Sequence, residues 1–355
     1  MKAIDIVAPV IMKVTSKSPI SVIDVGAAGG ILPMWRERGF EKYCSYFGFE
    51  PNPDNFKKLP IGHATKYFQM AISDQIGHLP FYKFSTVSSL VKRKDREASF
   101  NESFETIEVE VETLAHLRES GILPRLDVVK TDTERHDYFA VKGAQDYLKN
   151  EILCVISEFE YYGKEEGSRF RDLDQLLTSS GMLLFGLQHK TGALGEISGG
   201  DLLYLKDVGW IIDSGLAFEE KREQLTKLYM ICLVLGKYQY AFTIAKIGKE
   251  HSIWDGKEVE DLCEPLFSNV FLPFAIPLVK KGLPFANGFS LLAQLFSGAK
   301  WAGKAAPKPA SLKDFNQLTM RSAFLPRSWS RRYREHLQKM FDRYKRLREN
   351  GMFYK

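Results

Sequence analysis

Ile23-Asp24-Val25-Gly26-Ala27-Ala28-Gly29-Gly30 runs from an apolar, β-rich segment into a cluster of small residues, and helical spacing follows at 32–38. A strand that enters a glycine turn and leaves as a helix opens a βαβ unit. Glycine at such a turn lets the backbone reverse sharply and lets a ligand approach it closely. The pattern is D-x-G-A-x-G-G, and Ala28 stands where a dinucleotide-binding G-x-G-x-x-G would carry its second glycine. The turn therefore suits something other than a pyrophosphate, and Asp24 in front of it suits a cationic ligand.

Outward from this turn, short β-rich runs at 21–25, 46–50, 66–72, 126–131, 153–159, 183–187 and 202–205 are separated in several places by helical patterns at 32–38, 53–59, 138–148 and 170–180. Near-continuous apolar strands interleaved with helices predict an α/β fold, a doubly wound and mostly parallel sheet. The last two runs are joined by the glycine-rich stretch 192–200 with no helical pattern, so an antiparallel terminal hairpin is expected. Alternating residues at 79–84 and 106–111 mark an insertion between the third and fourth central strands. The charged link 91–103 within it reads as a surface loop, with a substrate lid as the functional alternative.

The turns at the strand ends carry the chemistry. Glu50, in Phe49-Glu50-Pro51-Asn52-Pro53, closes the second strand, where a carboxylate accepts the ribose hydroxyls of a nucleoside. Asn52 is the better helix cap, with Pro53 at the first helical position, which leaves Glu50 for a ligand. Ser73 or Asp74, before Gly77, is placed to bond an adenine amino group, or simply to build a turn. Val129-Lys130-Thr131-Asp132-Thr133-Glu134-Arg135-His136-Asp137 crowds ionisable groups onto the end of a central strand, where open α/β sheets bind ligands. A nucleoside carrying sulfonium and α-amino cations, S-adenosylmethionine, fits Asp24 and Glu50 together.

These residues resemble the FkbM-type methyltransferases. The marks are Asp24, Gly26, Ala27 and Gly30; Phe49, Glu50, Pro51 and Pro53; Ala71, Ser73, Asp74 and Gly77; Lys130, Asp132 and Glu134; and Lys142, Gly143 and Ala144, in order and over about residues 20–160. The sequence departs from the pattern twice: Arg135 stands where the family has glycine, and Asp137 where it has glutamate. The resemblance implies a class I Rossmann-like methyltransferase domain that uses S-adenosylmethionine, bound by Asp24, Gly26, Ala27, Gly30, Glu50, Ser73, Asp74 and Asp132. It further implies O-methylation of a sugar hydroxyl in a glycan or glycosylated metabolite. A nicotinamide-dependent oxidoreductase and a binding or scaffold protein that kept the sheet are the competing classes.

A sugar hydroxyl is a poor nucleophile at neutral pH, so a general base is expected. His136 is the first candidate, with Asp132 and Glu134 as rivals. No resident metal is expected. Glu158 and Glu160 with Asp132 are the set that would hold a divalent cation in the alternative, and His189 is a further substrate-side residue.

The formal charge of +5 is uneven: residues 321–355 hold eleven Lys/Arg against three Asp/Glu, and the rest of the chain is slightly acidic. Four cysteines, Cys44, Cys154, Cys232 and Cys263, lack metal-ligand spacing and read as buried free thiols. No signal peptide and no apolar run long enough to span a bilayer is apparent, so a cytoplasmic location is expected. The expected division is a methyltransferase domain at 1–208, a helical module at 209–300, and a linker with a basic C-terminal helix at 301–355. In the module, 218–235 and 238–247 read as two helices joined at Gly236, and the apolar segment 266–296 follows. The basic helix, 327–349, reads as a solvated face or as one that meets an anionic membrane surface. Without a zinc-finger or helix–turn–helix pattern, a nucleic-acid partner is not expected.

Overall fold

The computed structural model describes residues 18–32, 35, 40–60, 62, 64–84, 87–92, 104–160, 170–192 and 195–265. Most of the helix expected at 32–38, most of the charged link at 91–103, the segment 266–296 and the basic helix at 327–349 lie outside these residues. The chain divides into two compact units, one of residues Thr15–Leu216 and one that includes the described residues from Ala217 onward.

In the first unit, β1 (Ile20–Val25), β2 (Cys44–Phe49), β3 (Thr65–Phe68), β8 (Val128–Thr131), β9 (Cys154–Glu160), β10 (Met182–Thr191) and β11 (Ile197–Lys206) form one sheet in the order β10-β11-β9-β8-β1-β2-β3. β11 runs antiparallel to both its neighbours, which makes the terminal hairpin. The strand order reverses between β1 and β8, which pair in parallel with Asp24 opposite Lys130. That reversal opens a crevice at the carboxyl ends of the strands.

A second sheet, β4 (Ala71–Ile72), β5 (Gly77–Lys83), β6 (Ser88–Ser89) and β7 (Glu105–Glu112), is built from the insertion in the order β4-β7-β5-β6. The single run read at 66–72 is thus two strands in two sheets. β3 pairs with β2, the chain bends at Gln69 and Met70, and Ala71–Ile72 pairs with β7. Periodicity alone could not reveal the break, because both halves are apolar.

The helices of this unit are α1 (Pro53–Phe56), α2 (Leu114–Glu119), α3 (Asp137–Lys142), α4 (Gln145–Leu148), α5 (Phe170–Thr178) and α6 (Val208–Asp213). The helix read at 138–148 is the pair α3 and α4, interrupted at Gly143. Ala115 N–H bonds the Gly143 carbonyl, and a Cβ on Gly143 would lie 2.0 Å from the Ser73 carbonyl oxygen. The close approach of the Ser73 segment leaves room only for glycine at this helix end. Neither α2 nor α6 was anticipated, although each starts at a capping residue: Thr113 Oγ1 accepts His116 N–H, and Asp207 Oδ1 accepts Gly209 N–H.

Ile23, Val25, Phe49, Val129, Val155 and Phe159 from the sheet pack with Leu148, Leu173 and Leu177 from α4 and α5 in one core. Each large side chain buried there stabilises the fold by about 1.5–3 kcal/mol. This core fixes the strand ends that carry the site. All four cysteines are buried thiols outside any disulfide.

The described part of the second unit is helical: α7 (Phe218–Val234), α8 (Tyr238–Glu250) and α9 (Gly256–Pro265). Gly236 turns the chain between α7 and α8, as read from the sequence. Residues 224–234 of α7 are all buried, including Lys227, which pairs with Glu223 one turn earlier at 3.0 Å. Among the described residues, no helix is long and apolar enough to cross a membrane.

Candidate active site

The β1 turn is built against its two neighbours. Gly26 N–H and Ala27 N–H both donate to the Phe49 carbonyl at 3.0 Å, and Asp132 N–H donates to the Val25 carbonyl at 3.0 Å. Gly26 adopts φ +82°, and a Cβ there would lie 2.1 Å from the Asp132 carbonyl oxygen. Any side chain would push the β8 end away from the β1 end, so glycine is demanded by both conformation and space.

These three strand ends enclose a cleft of about 340 Å³. Gly26, Ala28 and Gly30 line it from the β1 turn, Glu50 and Asn52 from β2, Ile72 from β4, and Lys130, Asp132, Thr133, Glu134 and His136 from β8 and the turn after it. The inserted sheet supplies a further wall of Phe81, Phe84, Val87, Ser88, Ser89 and Leu90. Sequence reasoning missed this wall. The alternation of β5 showed an inward face but not what that face meets.

Asn52 caps α1 as expected, its Oδ1 accepting Asp54 N–H at 3.0 Å. Glu50 is nearly buried at the cleft edge, and its Oε1 accepts Asn52 N–H at 2.9 Å. Burial raises the Glu50 pKa, and the bonds from Asn52 N–H and the Asn55 side chain offset part of that. A carboxylate oriented in this way at the second strand end has the chemistry for a ribose diol.

Asp24 is buried beneath the turn, with Lys130 Nζ 3.0 Å from its Oδ1, and it does not line the cleft. Lys130 Nζ also donates to the Gly26 carbonyl at 3.3 Å and lies 3.6 Å from Asp132 Oδ2. Burial works against the charge on Lys130, but Asp24 and Asp132 outweigh it and raise its pKa. The pair neutralises itself, so the negative charge that reaches the cleft comes from Glu50, Asp132 and Glu134. Ala27 is buried under the turn.

Ser73 and Asp74 lie behind the cleft wall rather than in its lining. Ser73 Oγ is 2.9 Å from His136 Nε2 and donates to Asp74 Oδ1 at 3.3 Å, and Asp74 pairs with Lys142 at 2.7 Å. His136 lines the cleft and stacks on Phe139. Burial lowers its pKa to about 4 against the opposing pull of Asp74, so it is neutral at physiological pH and a weak base. The next residue, Asp137, is fully enclosed. Burial, with Glu158 and Asp132 nearby, pushes its carboxyl up to about 7, while bonds from Thr131 and Thr133 N–H pull the other way.

One carboxylate oxygen each from Asp132, Glu134 and Glu158 lies within 4.8 Å of the other two, a set of hard donors with the chemistry for a divalent cation. Glu158 already pairs with Lys190 from β10, and Glu160 pairs with Arg135 instead of joining this set. His189 faces outward on the exposed part of β10.

The turn after β8 departs from ordinary backbone. Glu134 has φ +54° and Arg135 φ +84°, two successive non-glycine residues in the left-handed region. The conformation that glycine would favour is thus kept at position 135 without glycine.

Residues 24–184 match the family model described as the Methyltransferase FkbM domain. No curated protein matches the chain. A similar solved structure is the methyltransferase FkbM from Methylobacillus flagellatus KT, at 13% identity and a TM-score of 0.35. The match covers 53% of this chain and 43% of that one, so it spans less than half of that protein's length. Residues 24–184 are thus the part of this chain that is similar to FkbM methyltransferase domains.

Proposed function

We propose that the domain moves a methyl group from S-adenosylmethionine to a hydroxyl oxygen of a saccharide or glycosylated acceptor. The observation that carries this reading is the shared cleft. Gly26, Glu50, Ile72 and Asp132 come from four separate strand ends and line one volume at the point where the strand order reverses. The residues fit the donor: a side-chain-free turn at Gly26 for close backbone approach, and a buried, oriented carboxylate at Glu50 for a diol.

When bound, S-adenosylmethionine supplies a methyl carbon already activated by sulfonium, so the protein's task is alignment, exclusion of water and removal of one proton. Phe81, Phe84, Val87 and Leu90 give the cleft an apolar wall that limits water. Asp132 and Glu134 present carboxylates on the acceptor side, and carboxylates accept hydrogen bonds from hydroxyl-rich ligands. Asp132 is the favoured base, because its carboxylate is half exposed within the cleft. His136 serves better as a fixed neutral wall, since burial has removed most of its basicity and Ser73 occupies its Nε2.

Calorimetry with S-adenosylhomocysteine tests the reading. The wild-type protein should bind it one-to-one, and a panel of free and lipid-linked oligosaccharides with radiolabelled donor should then yield a labelled acceptor. Absence of heat and of any thermal shift with either S-adenosylhomocysteine or S-adenosylmethionine would sink the proposal.

A further inference from the structure

The turn that carries Thr133 and Glu134 into the cleft is held from outside the main sheet. Ser89, on β6 of the inserted sheet, is buried, and its Oγ lies 2.7 Å from the Glu134 carbonyl and 3.0 Å from the Thr133 carbonyl. The same oxygen accepts Val91 N–H at 3.0 Å, so the hydroxyl hydrogen is directed at the two turn carbonyls. Those carbonyls directly precede and belong to the left-handed pair Glu134 and Arg135. Non-glycine residues hold such a conformation only where surrounding contacts over-determine it. A second contact does the same from the other side, because Arg135 Nε donates to Glu160 on β9.

We propose that Ser89 is a positioning residue. It acts as a latch, closing the inserted sheet onto the turn after β8 and fixing the strained backbone so that Asp132 and Glu134 face the donor cleft. On this view Ser89 supplies by hydrogen bonding what a glycine at position 135 would supply by conformational freedom. The inference rests on the proposed donor cleft only for its functional consequence, since the latch itself is a property of the unliganded chain.

A double-mutant cycle with Ser89→Ala and Arg135→Gly tests it, read by amide hydrogen exchange over residues 132–137 and by calorimetric titration with S-adenosylhomocysteine. Ser89→Ala alone should speed exchange across the turn roughly tenfold and weaken ligand binding several-fold, to about a fifth. In the R135G background, where position 135 is relieved and only Glu134 stays strained, the same change should cost clearly less, about twofold in both readouts. If Ser89→Ala does not fold, the double variant should fold and show near-wild-type exchange, and an unfolded double variant overturns the proposal. An equal Ser89→Ala effect in both backgrounds, or no effect in either, overturns it as well. Failure of the wild-type protein to bind S-adenosylhomocysteine would instead remove the cleft assignment, and the exchange cycle would still decide the latch.

Discussion

Lys130 and Asp24 stand opposite each other on adjacent parallel strands, and their side chains close to 3.0 Å beneath the β1 turn. Two charges taken out of water need each other. Removing one leaves the other buried and unpaired, at a cost of about 3–5 kcal/mol. Lys130→Met should lower stability by that amount in urea unfolding, and adding Asp24→Asn should restore most of it. Full stability in Lys130→Met alone would mean that Asp24 carries no charge in the folded protein.

Gly26→Ala tests the turn itself. The new methyl would sit against the Asp132 carbonyl in a left-handed backbone, so two penalties combine to destabilise by roughly 2–4 kcal/mol. Binding of S-adenosylhomocysteine should be lost even below the melting transition, because the β1 and β8 ends separate. Calorimetry on protein shown to be folded by circular dichroism reads this directly. Intact binding would place the ligand away from the turn.

Glu50 is expected to contribute through its charge and its fixed orientation. Hydrogen bonds to a charged group are worth about 1.5–3 kcal/mol, so Glu50→Ala should weaken S-adenosylhomocysteine binding roughly 10- to 100-fold. Glu50→Gln should fall between that and the wild type, since an amide keeps one acceptor. Adenosine should show the same ranking and methionine should not. A loss for methionine alone would move Glu50 to the amino-acid end of the cleft.

His136 and Asp137 couple folding to pH in opposite directions. His136 titrates at about 4 in the folded protein against 6.5 ordinarily, so its contribution is lost as pH falls through that interval, where only the unfolded chain takes the proton. Asp137 titrates at about 7 against 3.8, so the folded protein keeps a proton that the unfolded chain releases, and stability falls as pH rises from 3.8 to 7. The two contributions, roughly 3 kcal/mol for His136 and 4 kcal/mol for Asp137, oppose each other and largely cancel in the wild type. His136→Gln should therefore expose stability that declines from pH 4 to 7, and Asp137→Asn stability that climbs over the same range. Parallel urea titrations at stepped pH measure both. Flat profiles in both variants would show that neither group is desolvated.

Much of this arrangement could be read along the chain because it is local. The glycine turn, the Asn52 cap, the terminal hairpin and the α7–α8 turn at Gly236 are each set by residues a few positions apart. What escaped notice depends on partners distant in sequence. Asp24 read as a receptor for a cationic ligand because its neighbour Lys130 is 106 residues away and becomes adjacent only through strand register. The latch from Ser89 to Glu134 has the same character. Arg135 was visible as a letter, but its left-handed backbone was not, and the contacts that meet this turn come from β6 and β9.

The inserted strands β5, β6 and β7 pair with one another and with the two residues of β4, and none of them enters the seven-stranded ladder. Side chains of β5, β6 and the residues that join and follow them nonetheless form one side of the chamber. Away from Ser89, whose hydroxyl holds the turn after β8, the partition can therefore be resurfaced without shifting the register of the seven-stranded ladder. For protein engineering this makes the cleft-facing side chains of β5 a place to alter which molecules the chamber admits, provided that Ser89 is kept.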